Sequence, residues 1–407
     1  MRSTAGAILR PMSAFVALGT FWGAWAALLP DAARALSLSD GAVGLTLMVT
    51  IAAGLPAMML AGRAGNRAGV PLLAPSVLAF GVTVALVCLA RDPNTLMGAL
   101  ALVGMASGAL DVLMNTAASE LEARHATRRM HVIHAMWSLG LGTASITAGL
   151  LRQAGVDYRL ALFVAACAIA LLAIPSRRRQ ADREPPAHAA AHEAETAGPP
   201  VIARVWSAPM LLLGLLCAAA FLVENGMDTW SALHLERDLH APPAIAGLGP
   251  GLLAFSSFAG RLTGQAVAAA LGEARLVLWA GLATALGVAG FAIAPNWELA
   301  LPPLLFAGSG VSVAAPTVVS LAGRLAGPRA RGSAVSLVAQ IAYAGLLTGP
   351  LVLGMLSDRF GLRHALLGLV LCALAFGIGG ARLVAGLCAR LDGQRRPVFA
   401  KEQELRP

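Results

Sequence analysis

Long apolar stretches dominate the chain, and short polar segments separate them. Each stretch approaches the roughly 20 apolar residues that a helix needs to cross the bilayer core. The pattern predicts twelve membrane-spanning helices, at residues 11–30, 41–62, 71–90, 95–118, 132–154, 158–176, 206–233, 243–266, 276–294, 299–323, 333–354 and 364–386. We therefore expect an all-α membrane protein whose surroundings are a lipid bilayer.

Composition and charge support this interpretation. Of the 407 residues, 57% are hydrophobic and 13% are charged, and the mean hydropathy is +0.73, which excludes an ordinary soluble globular protein. Cytoplasmic segments of membrane proteins are enriched in Lys and Arg. With a cytoplasmic N-terminus, 23 of the 30 Lys and Arg residues lie on the cytoplasmic face and 7 on the other. We therefore expect both termini in the cytoplasm, and membrane topology rather than a nucleic-acid partner explains the net charge of +9.

A polar segment divides the chain into two halves. Residues 177–204, rich in Ala, Pro and Glu, have no apolar face and are typical of a flexible linker. The segment "LAGRAGNRAG" from Leu60 resembles "FAGRLTGQAV" from Phe258, which indicates an internal duplication. The sequence therefore predicts a six-helix bundle at 1–176, a cytoplasmic linker at 177–205, a second six-helix bundle at 206–388 and a cytoplasmic tail at 389–407.

One carboxylate interrupts the fourth apolar stretch. Asp111 and Asn115 in "GALDVLMNTAASELE" are one helical turn apart and point to the same side. Charged side chains within a membrane are costly and usually face the bundle interior or a water-filled cavity. Asp111 is therefore a candidate for a solute or proton path. Alternatively, it hydrogen-bonds His134, Ser138 or a backbone amide and so holds the cytoplasmic half of the bundle together.

Three more polar residues lie deep in the seventh stretch: Glu224, Asn225 and Asp228. The two carboxylates are one turn apart, and we expect no Arg or Lys within the membrane beside them. Low dielectric and a neighbouring carboxylate both favour protonation of at least one of the two. Glu224 is therefore our first candidate for a group that carries a proton across the membrane.

Aromatic and histidine residues give weaker signals. Trp22, Trp25 and Trp230 are candidates for stacking on a solute, or they only pack within the bundle. His131 and His134 form an HxxH pair, but without a third ligand it favours a hydrogen-bonding role, and we expect no metal site.

The segment "GRAGNRAG" after the second stretch predicts a hinge and latch at the cytoplasmic end. Its candidate gate residues, together with His134 from the fifth stretch, are Gly62, Arg63, Asn66, Arg67 and Gly69. In this interpretation the arginines hold helix ends together in one state and release them in the other. Alternatively, they only anchor the protein through the positive-inside rule.

This loop element, the twelve stretches and the central linker together resemble the major facilitator superfamily. The segments "ALDVLMNTAASELEARHATRRMHVIHAMWSLGLG", "WAALLPDAARALSLSDGAVG" and "FLVENGMDTWSALHL" are similar to a bacterial branch related to fucose permease. Three positions depart from the pattern that this resemblance implies. Asn66 replaces an acid, Leu28 replaces an arginine, and the acid near Trp230 is Asp228 rather than the residue directly before the tryptophan. The resemblance also implies that helices 1, 4, 7 and 10 line a central cavity.

The resemblance implies a secondary active transporter that moves a small organic solute across the bacterial inner membrane by alternating access. We expect a monomer without a cofactor, with the proton gradient as energy source. An alternative is an efflux transporter for drugs or secondary metabolites. A membrane-embedded enzyme or a sensor is disfavoured, because the sequence contains no Walker loop, no HExxH and no G-x-S-x-G.

Overall fold

The computed structural model describes residues 2–68, 72–125, 130–177, 206–327 and 330–391. Within these residues the chain forms twelve long helices with alternating direction. Their bounds are α1 (Arg2–Ala35), α2 (Asp40–Ala68), α3 (Leu73–Val87), α4 (Pro93–His125), α5 (Met130–Gln153), α6 (Tyr158–Leu172), α7 (Ala208–Arg237), α8 (Pro243–Leu271), α9 (Glu273–Ile293), α10 (Trp297–Ala326), α11 (Arg331–Phe360) and α12 (Leu362–Leu391). The helix α4 continues seven residues beyond its predicted end at 118.

The helices have the length and composition of membrane spans. Nine of those in the described ranges are long and apolar enough to cross a bilayer, and α3 and α6 are shorter apolar helices. Large apolar side chains point outwards, among them Leu286 (73% exposed) and Leu371 (70% exposed). Such exposure is costly in water and favourable in lipid. The predicted all-α membrane fold is therefore confirmed.

The two halves of the chain repeat one packing scheme. In the first half α1 packs on α5, α2 on α4 and α3 on α6, and in the second half α7 packs on α11, α8 on α10 and α9 on α12. The halves meet through equivalent pairs, because α2 packs on α11 and α5 on α8. This arrangement confirms the duplication into two six-helix bundles. Of the predicted linker at 177–205 and tail at 389–407, residues 178–205 and 392–407 lie outside the described residues.

Small residues bring several of these helix pairs into close contact. A Cβ atom at Gly104 of α4 would overlap the carbonyl oxygen of Thr50 in α2. In the second half, a Cβ atom at Gly345 of α11 would likewise overlap the carbonyl oxygen of Ala218 in α7. Helices in membranes associate through this kind of backbone proximity, since lipid supplies little hydrophobic drive between them.

The bundle has two ends, which we name by residues. The "Asp31 end" is where α1 ends and α2 begins, and the "Arg63 end" is where α2 ends. Because the helices alternate in direction, α5, α7 and α11 also end at the Asp31 end.

Candidate functional site

A cavity of about 300 Å³ lies between the two halves. Helices α1, α2, α4 and α5 line it from the first half, and α7, α8 and α11 line it from the second. Its polar and aromatic lining residues are Trp22, Trp25, Thr50, Ser107, Asp111, Trp137, Phe221, Glu224, Asn225, Asp228, Thr229, Arg261 and Tyr343. The described lining includes no residue of α10, so the expectation that α10 lines the cavity is wrong for this structure.

Six of the predicted path residues line this cavity: Trp22, Trp25, Asp111, Glu224, Asn225 and Asp228. Two others do not. Asn115 lies one turn from Asp111 and supports it, as described below. Trp230 has a fully buried side chain and lies outside the lining. The prediction that Trp230 lies on the solute path is wrong for this structure, because packing within the bundle encloses the whole indole.

The centre of the site is an ion pair between Glu224 of α7 and Arg261 of α8. The Nη2 atom of Arg261 donates to Oε1 of Glu224 in a short, direct contact. The Nη1 atom of the same arginine donates to Oγ of Ser138 at 2.6 Å, and the guanidinium carbon lies 5.7 Å from the ring centroid of Trp137. Ser138 and Trp137 belong to α5 in the first half. Arg261 thus joins an acid of its own half to a surface of the other half.

This ion pair corrects the sequence analysis, which expected no basic residue near Glu224. Arg261 lies within α8, ten residues before the end of that helix at Leu271. In the sequence it lies five residues before the predicted end of its span at 266, and its counterpart in the repeat, Arg63, is exposed. The longer helix places Arg261 against the cavity instead.

Asp111 is held by neutral groups. Its Oδ1 accepts from Nδ2 of Asn115 at 3.2 Å, and Asn115 also donates to the backbone oxygen of Asp111 at 2.8 Å. The hydroxyl of Tyr343, on α11 of the other half, lies 3.5 Å from Oδ2. Ser138, one of the predicted alternative partners, accepts from Arg261 instead.

Three polar groups of the cavity wall lack partners within the described part of the chain. The indole Nε1 of Trp25 and the Oδ1 atom of Asn225 are buried and make no hydrogen bond. Asp228, which lies one turn beyond Glu224, makes neither a hydrogen bond nor an ion pair with a described residue. An unpartnered buried polar group costs about 1–3 kcal/mol and invites an explanation.

A buried ion cluster joins the two halves at the Asp31 end. Arg152 of α5, with a side chain only 1% exposed, donates from Nε to Asp31 of α1 at 2.6 Å and from Nη2 to Glu236 of α7 at 2.8 Å. Arg34 contacts both acids from the outer side. Because Asp31 follows the lining residue Ala26 by five residues, the cluster lies about 7–8 Å beyond the cavity along α1.

A second connection lies beside this cluster. Asp358 of α11 accepts from the backbone nitrogens of Asp40 and Gly41, each at 2.9 Å, so the second half caps the start of α2 in the first. Asp40 in turn accepts from Arg237 of α7 at 2.8 Å and from Ser357. Neither connection was predictable from the sequence, because each partner alone is an ordinary polar residue at a helix end.

The predicted gate is only partly described. Arg63 is exposed and Gly62 is half-buried on α2, while Gly69 and the side chains of Asn66 and Arg67 lie outside what the structure describes. His134 is exposed, and its ring centroid lies 4.6 Å from that of Phe15. The latch function of this segment stays a prediction.

Known proteins resemble the chain over most of its length. An uncharacterised MFS-type transporter of Yersinia pestis is 30% identical over 86% of this chain and 89% of the relative. Membrane protein MosC of Rhizobium meliloti is 25% identical over 86% of this chain and 84% of its own.

Two solved structures have the same fold. The nucleoside transporter NupG matches with a TM-score of 0.68 at 14% identity, over 94% of this chain and 98% of that one. A bacterial homologue of the human lysosomal transporter Spinster, in an inward-facing and unoccupied conformation, matches with a TM-score of 0.72 at 16% identity, over 94% and 98%.

The sequence pattern of the Major Facilitator Superfamily matches residues 12–350, well over half of the chain. The twelve helices, their repeated packing and the cavity between the halves agree with that match. The chain therefore belongs to the major facilitator superfamily.

Proposed function

We propose that this protein is a secondary active transporter that moves a small organic solute across the bacterial inner membrane and couples the movement to protons at Glu224. The cavity is the solute site, and it is exposed in turn to each side as the two halves rock. The Asp31 end faces away from the cytoplasm in this proposal, in keeping with the excess of Arg and Lys at the other end.

One observation carries the proposal: Arg261 bonds Glu224 within its own half and Ser138 in the other. A proton on Glu224 removes the charge that holds the guanidinium. Arg261 is then free to leave Ser138 and Trp137, which loosens the contact between α8 and α5. Protonation and the relative position of the halves are thereby linked through one side chain, as coupled transport requires.

The ion clusters at the Asp31 end support the alternating-access part of the proposal. They join α1, α2 and α5 to α7 and α11 beyond the cavity. This arrangement corresponds to a state closed at the Asp31 end. Opening of that end breaks the ion pair of Arg152 with Glu236 or with Asp31. The cluster therefore opposes opening until contacts formed on closure of the Arg63 end offset the free energy lost with that ion pair.

The proposal is tested with purified protein in proteoliposomes that contain a pH-sensitive dye. Sugars, polyols, amino acids, organic acids, amines and amphiphilic drugs are added one at a time without a pH gradient, and protein-free liposomes are the control. We expect at least one class to change the internal pH only when the protein is present. The direction of that change separates symport from antiport, and hence uptake from drug-type efflux. Uptake of labelled solute with no accompanying proton movement would overturn the coupling.

A further inference from the structure

The charge balance of the cavity is uneven. Its described lining contains three acids, Asp111, Glu224 and Asp228, and one base, Arg261. Arg261 forms an ion pair with Glu224. Asp111 and Asp228 face the cavity from different halves of the molecule, and neither forms an ion pair with a described residue; the charge of Arg261 acts on Asp228 without direct contact.

Hydrogen-bonding groups beside these acids are also incomplete. Trp25 lines the cavity with only 3% of its surface exposed, and its Nε1 donor has no partner. Asn225 has an unpartnered Oδ1 acceptor and lies on α7 three residues before Asp228, so the two share one face of that helix. The wall therefore offers a carboxylate, an amide oxygen and an indole N–H that the protein itself does not use.

We infer that the solute is a small organic cation, a protonated amine that also carries a hydrogen-bond acceptor such as a hydroxyl group. The inference rests on the proposed transport function and names the class of its solute. Asp228 and Asn225 accept from the ammonium group, and the Trp25 N–H donates to the acceptor. Asp111, on the opposite half, supplies the second negative charge.

The same wall disfavours other solutes. An anion would meet two unpaired carboxylates, and the one described lining cation is already neutralised by Glu224. A neutral sugar would supply no counter-charge, so both acids would have to take up protons before such a solute could fill the partly desolvated site. Aromatic rings of Trp22, Trp25 and Phe221 in the lining add favourable surfaces for a cation. The part of the chain that is described holds no cluster of three or more His, Cys, Asp or Glu suited to a metal ion.

The test uses two sets of matched compounds that differ in one charged group. One set is 1-amino-1-deoxysorbitol, sorbitol and gluconate, and the other is tyramine, tyrosol and 4-hydroxyphenylacetate. Isothermal titration calorimetry on the purified protein at neutral pH measures the affinity of each. We expect the amine of at least one set to bind about tenfold or more tightly than its neutral and acidic analogues.

Variants assign the effect to the cavity. Asp228→Asn keeps the shape of the side chain, and we expect it to weaken amine binding about tenfold or more, close to the level of the neutral analogue. Trp25→Phe removes the N–H donor together with part of the ring and should weaken the amine and its neutral analogue alike. Glu298→Gln removes one exposed acid on α10, a helix that contributes no residue to the described lining, and should leave binding unchanged. Thermal unfolding confirms that each variant is folded.

Several results would overturn the inference. They are tighter binding of the neutral or acidic member, no binding of either amine, unchanged amine affinity in Asp228→Asn, or binding of Na⁺, K⁺ or Mg²⁺ alone at this site. Failure of the inference is distinguishable from failure of the proposed function. If a neutral solute drives proton movement in proteoliposomes, the proposed transport function stands and the cationic solute is ruled out. If an amine binds but is never transported, the cationic ligand stands and the proposed transport function is ruled out.

Discussion

Arg152 of α5 and Glu236 of α7 form an ion pair at 2.8 Å across the two halves, with side chains 1% and 12% exposed. The pair does not stand alone, since Arg152 also holds Asp31 and the backbone oxygen of Ala27. Removal of one partner from a buried pair leaves an uncompensated charge, which usually costs about 3–5 kcal/mol. The cluster is therefore a buried polar connection between the two halves at the Asp31 end.

We predict that Arg152→Gln opens the Asp31 end. Without the guanidinium, Asp31 and Glu236 repel each other and retain only the exposed Arg34 as a counter-charge. Spin labels at the exposed positions Leu89 and Glu298, in a variant without its five native cysteines, report the separation of the halves at this end. We expect electron paramagnetic resonance to detect a larger population at long distance.

Arg91→Gln is the matched control for this measurement, because Arg91 is exposed at the same end and its guanidinium belongs to neither cluster. It should leave the distance distribution unchanged. An unchanged distribution in Arg152→Gln as well would mean that the cluster does not govern closure.

We predict that Gly104→Ala destabilises the first half. The new Cβ would overlap the carbonyl oxygen of Thr50, so α2 and α4 must separate. Overpacking of this kind costs about 1–3 kcal/mol, and often more where the obstacle is backbone. Gly98→Ala on the same helix meets nothing within 4 Å and is the control. Thermal unfolding in detergent should show a lower Tm for Gly104→Ala only; equal Tm values would contradict the close contact.

We predict that the C-terminus after Pro407 is cytoplasmic, from the asymmetry of Lys and Arg. A reporter enzyme that is active only in the periplasm, fused after Pro407, should give no signal, while a cytoplasmic reporter at the same position is active. Strong periplasmic activity would require an odd number of spans or the opposite orientation.

The fold could be predicted from sequence because its signal is local. Each span is a run of apolar residues long enough for the bilayer, and the polar central segment marks the boundary of the halves. Helix ends were less certain, since α4 continues to His125 on polar residues beyond the apolar run. Which helices line the cavity depends on tertiary packing, and so the expected contribution of α10 was wrong.

Individual residues of the site could be predicted from the sequence, but their contacts with one another could not. Asp111, Glu224 and Asp228 stood out because isolated carboxylates are rare in apolar helices. Their partners were not predictable in the same way. Arg261 lies 37 residues from Glu224, and Tyr343 lies 232 residues from Asp111, so only the folded bundle brings them together. Trp230 shows the opposite error, because sequence does not distinguish a tryptophan in the core from one in a cavity.

In the proposed mechanism, protonation of Glu224 drives transport through Arg261. Glu224→Gln keeps the shape of the side chain and stays neutral at every pH. It should still bind solute and exchange it across the membrane, because the cavity and the rocking of the halves remain. It should no longer accumulate solute against a gradient, because no proton is taken up or released at this position.

The most direct measurement compares Glu224→Gln, Glu298→Gln and the unmodified protein in proteoliposomes, with a transported solute from the dye assay. Counterflow is measured without a pH gradient, and accumulation is measured with one imposed. We predict that all three proteins show counterflow and that Glu224→Gln alone fails to accumulate solute. Normal accumulation by Glu224→Gln would show that Glu224 is not the coupling residue and would shift the coupling to another acid, with Asp111 the next to test.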